Sequence, residues 1–270
     1  MRIWHQSMAP IAHLTGYTDA LARHAALACS PGVEVYFNGA AEEPYRGTTP
    51  ADLLRYPYAK HVLGEEAIGH ALRAEREGFD ALILGSFSEP FLPEIRSLLD
   101  IPVVSMPEAS MLLACSLAES FALVTLGPSN IIRVRKTVAR HGMQARVSGV
   151  HAFARQWDEA QLNATFADPA ALIESFSEVA RRALADGADL VIPAEGVLNE
   201  VLFQHGLREI DGAAVMDCVG AALLHAEMQV NARQKLGLAA GRRWARRPTP
   251  EVLERLRAAQ RTTLDLLTRA

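Results

Sequence analysis

Two positions stand out for the chemistry their side chains could do. Glu195 follows the apolar run Leu190-Val191-Ile192 and lies between Ala194 and Gly196; Ser86 follows Ala81-Leu82-Ile83-Leu84 and Gly85. A carboxylate at the end of a buried strand can serve as general acid or base once burial lifts its pKa toward neutrality. A serine hydroxyl is a far weaker acid. Without an activator it is a poor base toward carbon, and it suits donating to a developing oxyanion or holding a water. Backbone N–H groups around Phe87, Ser88, Gly196 and Val197 could cradle a carboxylate or enolate, because helix N-termini favour anions. Each residue has a plainer alternative: a surface carboxylate for Glu195, a helix N-cap or turn serine for Ser86. The small, apolar flanks of Glu195 argue against the first.

A loose internal repeat relates the two positions. Gly78-Phe79-Asp80-Ala81-Leu82-Ile83-Leu84-Gly85-Ser86 reads like Gly187-Ala188-Asp189-Leu190-Val191-Ile192-Pro193-Ala194-Glu195, an offset of 109 residues. Pro102-Val103-Val104 leads into a helical stretch with Leu112-Leu113, and Ala213-Ala214-Val215 into one with Leu223-Leu224, an offset of 111. Two related halves are the economical reading. Ligands of open α/β sheets bind beyond the carboxyl ends of strands, and clefts favour domain interfaces. Ser86 and Glu195 are therefore expected to face one pocket.

The elements that must position them alternate. Short, continuous apolar runs at 33–37, 81–84, 103–105, 122–125, 147–150, 190–193 and 214–216 suit parallel strands buried on both faces. Helical patterns occupy 65–77, 108–117, 131–141, 169–186 and 219–234. Such alternation implies right-handed βαβ units. The predicted fold is α/β, with two pseudo-symmetric domains, mostly parallel sheets and the active site in the cleft. Residues 1–120 and 210–238 form the first domain, 121–209 the second, and 239–270 a basic loop and helix. That helix carries an apolar stripe of Val252, Leu256, Ala259, Thr263 and Leu267, suited to capping a domain or joining subunits. The basic cluster Arg242, Arg243, Arg246 and Arg247 reads as a solvated loop before it reads as an anion site.

Composition narrows the function classes. The chain has 270 residues, 50% hydrophobic and 21% charged, with a formal charge of -4. It has no global basic field for nucleic acid, no apolar run long enough for a membrane helix and no visible secretory signal, so a cytoplasmic protein is expected. Cys29, Cys115 and Cys218 make neither a disulfide framework nor a CxxC site. The histidines show no ligand spacing and no Walker or Rossmann loop is present, so neither metal nor organic cofactor is expected. Cys218, after Asp217 at a helix start, reads as a small buried hydrophobe before a lowered-pKa thiol. Tyr45 and Tyr58 lie in the stretch 43–64, an ordinary loop or a lid.

Taken together, these segments resemble the aspartate/glutamate/hydantoin racemase superfamily, nearest its hydantoin racemase branch. The resemblance rests on Asp80 through Pro90, Ile101-Pro102-Val103-Val104 with Pro107-Glu108-Ala109, Phe121-Ala122-Leu123-Val124-Thr125, Gly187 through Ile192, and Lys235-Leu236-Gly237-Leu238. It implies cofactor-independent proton transfer at a carbon beside a carbonyl or carboxylate, by two cysteines on opposite faces of the substrate. This chain departs at both: Ser86 and Glu195 occupy the cysteine positions, so the symmetric two-thiol mechanism is not available. The arylmalonate decarboxylase branch also lacks the first cysteine, so a one-sided site fits the scaffold. The resemblance further implies substrate contacts from Gln6 and Ser7, with His5 just before them, where the family's Asn-rich loop is absent, and from Thr125. Glu89 matches an acidic position, or favours a helix N-terminus.

The leading expectation is thus an isomerase acting on a small carbonyl or carboxylate compound, a homo-oligomer. Glu195 transfers the proton, while Ser86 and nearby amides steady the enolate. The alternatives are a hydrolase of a lactone, lactam or amide, a decarboxylase, or a silent small-molecule binder.

Overall fold

The computed structural model describes residues 1–268; of Ala51 and 262–268 only the backbone is described. Among the described residues nine strands form two sheets. In the first, β2 (Glu34–Asn38), β1 (Arg2–Gln6), β3 (Ala81–Leu84) and β4 (Val103–Ser105) lie in that order, all parallel. In the second, β6 (Val147–Ala152), β5 (Phe121–Thr125), β7 (Leu190–Pro193), β9 (Ala213–Val215) and β8 (Glu209–Ile210) follow one another. Only β8 runs antiparallel to its neighbour. The parallel strands of the two sheets share one winding: β1, β2, β3 and β4 correspond to β5, β6, β7 and β9. The expected pseudo-symmetry is therefore present in the strand order itself.

The helices are α1 (Thr15–Ala28), α2 (Pro50–Leu53), α3 (Pro57–Arg76), α4 (Leu92–Leu98), α5 (Met106–Leu117), α6 (Ile131–Arg140), α7 (Glu159–Ala164), α8 (Ala170–Ala185), α9 (Gly196–Gln204), α10 (Cys218–Leu236) and α11 (Pro250–Thr268). Local chemistry sets their starts. Ser105 caps α5 by accepting from the Glu108 N–H at 3.2 Å, and Asp158 and Gln161 form a capping box on α7. Asp217 caps α10, which ends at Gly237 with φ 69°.

Strand alternation sorts the core. Ile3, Ala81 and Ile83 point into the larger cluster, whereas Trp4, Leu82 and Leu84 point into a second one with Leu63, Ala67, Leu92 and Ile95. The first sheet is thus covered on both faces, which explains its continuous apolar runs.

The structure moves one expected boundary. Residues 209–215 do not return to the first domain; Leu190 pairs with Ala214 and Val191 with Val215, so this strand extends the second sheet. The return is made by α10, which packs on α5, β3 and β4. Two of the four arginines tie the C-terminal arm to the first domain, while Arg243 and Arg246 are exposed as a solvated loop implies. Arg242 donates to the carbonyls of Arg96, at 2.7 Å, and Leu99, and Arg247 bridges Asp100 and, at 2.6 Å, Glu75. In α11, Val252 is partly buried, whereas Leu256 and Ala259 are exposed; the side chains of Thr263 and Leu267 lie outside the described residues. No helix among the described residues is long and apolar enough to cross a membrane.

Candidate active site

Ser86 and Glu195 stand just beyond β3 and β7, the matching central strands of the two sheets, and both line one cavity. The cavity is small, with about 50 Å³ of enclosed space, room for a few waters. The two strand ends approach closely: the Gly85 carbonyl oxygen lies 3.8 Å from where a β-carbon on Gly196 would stand.

The two ends are built differently. Glu195 leads directly into α9, and its Oε2 accepts the Leu198 N–H at 2.7 Å, so it is the helix N-cap. Burial pushes its carboxyl up from 4.5 to about 8, with Glu159 adding like-charge repulsion; the N–H groups of Leu198, Val197 and Gly196 oppose the rise. The plain surface-carboxylate reading does not hold.

Ser86 instead enters a turn, and α4 starts six residues later. The Ser86 and Ser88 hydroxyls are 2.9 Å apart, and the Ser88 N–H donates to Ser86 Oγ at 3.2 Å. The turn is pinned by Glu89, held in the left-handed region with φ 35°. Its buried carboxylate meets Arg140 at 2.9 Å and His141 at 2.8 Å, and accepts from Ser105. Burial disfavours charge on His141, but its hydrogen bonds to Glu108 and Glu89 outweigh this and raise it to about 9. Glu89 is thus an anchor for the Ser86 turn, not a helix-dipole partner.

Of the other expected contacts, Ser7, Phe87, Ser88 and Val197 line the cavity. Gln6 and Thr125 do not. Both Gln6 and His5 lie within β1 rather than after it. Gln6 Oε1 accepts from Trp4 at 3.0 Å and Asn38 at 2.9 Å, and its side-chain Nε2 donates to the Ser7 carbonyl. Thr125 closes β5 with its hydroxyl buried and unpaired. Gly196 is not itself a lining residue but adjoins Glu195 and Val197, and a side chain there would need the Tyr17 hydroxyl, 2.8 Å from its β-carbon position, to shift. Gly85 is more tightly constrained, because the ring of buried His5 lies 2.1 Å from its β-carbon position. Burial holds His5 down at about 4, and therefore neutral near pH 7.

Tyr45 is buried and donates to the Met8 carbonyl at 2.7 Å, whereas Tyr58 is exposed. The stretch around them contributes Pro50 and Leu54 to the cavity wall. Cys218 is fully buried, with Sγ 3.2 Å from the Pro193 carbonyl, and burial raises its thiol well above the usual range. Among the described residues no group of three or more His, Cys, Asp or Glu is placed to hold a metal ion.

Sequence reasoning missed the polar lining residues Tyr17, Asn130, Arg133 and Glu159. Glu159 sat beside a legible signal, the Asp158/Gln161 capping pair. Arg133 lay hidden in a basic run with Arg135, Lys136 and Arg140, which reads as a solvated face.

Two like-wound parallel sheets with paired strand ends facing one cavity define the racemase scaffold. The Asp/Glu/Hydantoin racemase family model matches residues 15–226, and the chain belongs to that family of isomerases. It is 30% identical over 194 residues to a hydantoin racemase of Pseudomonas sp. (strain NS671), covering 69% of this chain and 72% of that protein. Its fold matches an allantoin racemase from Klebsiella pneumoniae with a TM-score of 0.73 at 21% identity, covering 91% of this chain and 92% of that one. An allantoin racemase from Pseudomonas fluorescens gives 0.74 at 22% identity, covering 93% and 98%.

Proposed function

We propose that this enzyme isomerises a small molecule without a cofactor, by moving a proton at the carbon beside a carbonyl, and that Glu195 is its acid/base. The observation behind this reading is a half-buried carboxyl raised to about 8, on one cavity with Ser86. A group with a pKa near the working pH both takes and returns a proton efficiently. Deprotonation at carbon moves charge to the carbonyl oxygen. The Ser86 hydroxyl and the amides beyond the two strand ends are the donors suited to that oxyanion. Inversion needs a proton on the other face: the Ser86–Ser88 hydroxyl pair can relay one from solvent to the carbon, and Glu195 then releases to solvent the proton it took.

The relatives' names point to small cyclic ureides, so 5-substituted hydantoins are the first substrates to try. Exchange of the C5 proton in heavy water, read by NMR beside loss of optical rotation, tests the reading. Glu195→Gln should slow both by about 10²–10⁴-fold, and Ser86→Ala by at most about 10²–10³-fold. Near-native turnover in Glu195→Gln would overturn it. The same reading includes a cytoplasmic protein, testable by fractionation, and a homo-oligomer. Exposed Leu112, Leu113, Leu224 and Met228 on the adjoining helices α5 and α10 support the latter; a monomer by light scattering would rule it out.

A further inference from the structure

Among the described residues, Arg133 is the only cation lining the cavity that holds Glu195. It sits in the first turn of α6, a turn without acidic residues, where a positive side chain opposes the helix dipole. Its Nε is buried and has no hydrogen-bond partner. Burying a guanidinium N–H without an acceptor is unfavourable, and such a group calls for an explanation.

More positive charge gathers beside it. Lys60 of α3 is partly buried; burial, then the charges of Arg133 and Lys136, lower its pKa. Among the described residues no side-chain hydrogen bond or ion pair holds Lys60. Two carboxyls face this cluster from within the cavity, Glu159 and Glu195, both within electrostatic range of Arg133. With Glu195 raised to about 8, it is mostly neutral near pH 7, which leaves Glu159 as the cavity carboxylate opposite three cations.

We propose that the substrate carries a carboxylate besides its reacting carbonyl, that Arg133 holds this carboxylate, and that Lys60 draws it toward the cavity. A planar guanidinium matches a carboxylate in geometry and charge, and the unpaired Nε–H gains an acceptor. A neutral substrate can offer the Nε–H an acceptor but not the charge. The proposal rests on reading the cavity as the site of proton transfer, but its test is separable from that reading.

The probes are 5-carboxymethylhydantoin and its amide, which differ in charge and little in shape. Binding by calorimetry and C5 exchange in heavy water are measured for the wild type, Arg133→Gln, Arg133→Lys, Lys60→Gln and Glu195→Gln, each checked for fold by circular dichroism. The wild type should bind the acid at least about tenfold more tightly than the amide, the scale of a charge-assisted hydrogen bond. Arg133→Gln should erase that preference and leave amide binding within about threefold; Arg133→Lys should keep part of it. Lys60→Gln should reduce the salt dependence of acid binding. Glu195→Gln should still prefer the acid while losing exchange. Equal wild-type affinity for both probes, binding of neither, or equal loss of both in Arg133→Gln would overturn the proposal. Tight, Arg133-dependent acid binding with no exchange would instead sink the proton-transfer reading and leave Arg133's role standing.

Discussion

The Tyr17 hydroxyl lies 2.8 Å from where a β-carbon on Gly196 would stand, while the ring carbon bearing that hydroxyl lies at 3.7 Å. One oxygen therefore crowds position 196, one residue past Glu195. Gly196→Ala should destabilise the enzyme by ~1–3 kcal/mol through overpacking. Tyr17→Phe removes the clashing atom, so the double variant should be more stable than the sum of the single changes predicts. A double-mutant cycle in denaturant measures this; strict additivity would show that the two positions do not meet.

Glu195 couples activity and stability to pH. Its carboxyl stands at 4.5 ordinarily and about 8 in the fold. Between those values the folded state holds a proton that the unfolded state has released. The stability this proton lends is fully present below about pH 4.5 and is lost as pH rises through 8. Glu195→Gln should therefore be more stable than the wild type at pH 9 and nearly equal to it at pH 4, as read by Tm. If Glu195 starts as the base, kcat/KM should rise with pH toward a plateau above about 8.

Glu159 shares the cavity with Glu195 and raises its carboxyl by repulsion, after burial. Glu159→Gln should move the acidic limb of the kcat/KM profile to lower pH, while the maximum changes less. An unmoved limb would assign the shift to burial alone.

Thiol reagents should leave turnover largely intact. Neither strand end carries a cysteine, Cys218 is fully buried, and burial with Glu227 raises Cys29 to about 11. Rapid, substrate-protected inactivation by iodoacetamide would place a reactive thiol in the site.

His24 joins α1 to α9 and α10, through Glu200 and Asp217 at 2.8 Å each. Burial resists its charge, but the hydrogen bonds to Asp217 and Glu200 prevail and raise it to about 9. Its contribution is full below about pH 6.5 and is lost as pH rises through 9. His24→Phe keeps the ring that stacks on Phe203 but strands the buried Glu200. It should cost about 3–5 kcal/mol near pH 6, measured by denaturant unfolding, and flatten the fall in stability toward pH 9.

Much of the scaffold was legible in the chain because it depends on local patterns. Runs such as Ala81-Leu82-Ile83-Leu84 declare strands covered on both faces, and the repeat around Ser86 and Glu195 anticipated two like-wound sheets with matching strand ends. Helices α5, α6, α8 and α10 were foreseen within a few residues. Helices α1, α7 and α9 were not, although Tyr17, Glu159 and Val197 stand on them. Sequence also could not say which sheet residues 213–215 join, because strand pairing is a contact across the chain. Gln6 was misplaced for a related reason: whether a polar residue faces a cavity or a neighbouring Trp4 and Asn38 depends on where β1 ends and what packs beside it.

The sequence by itself determined the fold class, the repeat and the pair of positions that end its central strands, since apolar period and spacing follow from hydrophobic burial along the chain. Only the tertiary structure decided the electrostatics. A carboxyl near pKa 8 exists at position 195 because burial and Glu159, 36 positions earlier in the chain, act on it in space. Arg133 belongs to the cavity rather than to a solvated helix face because the two halves close around it. Desolvation and Coulomb interaction depend on distances between folded elements, and those distances are set only when the sheets and helices pack.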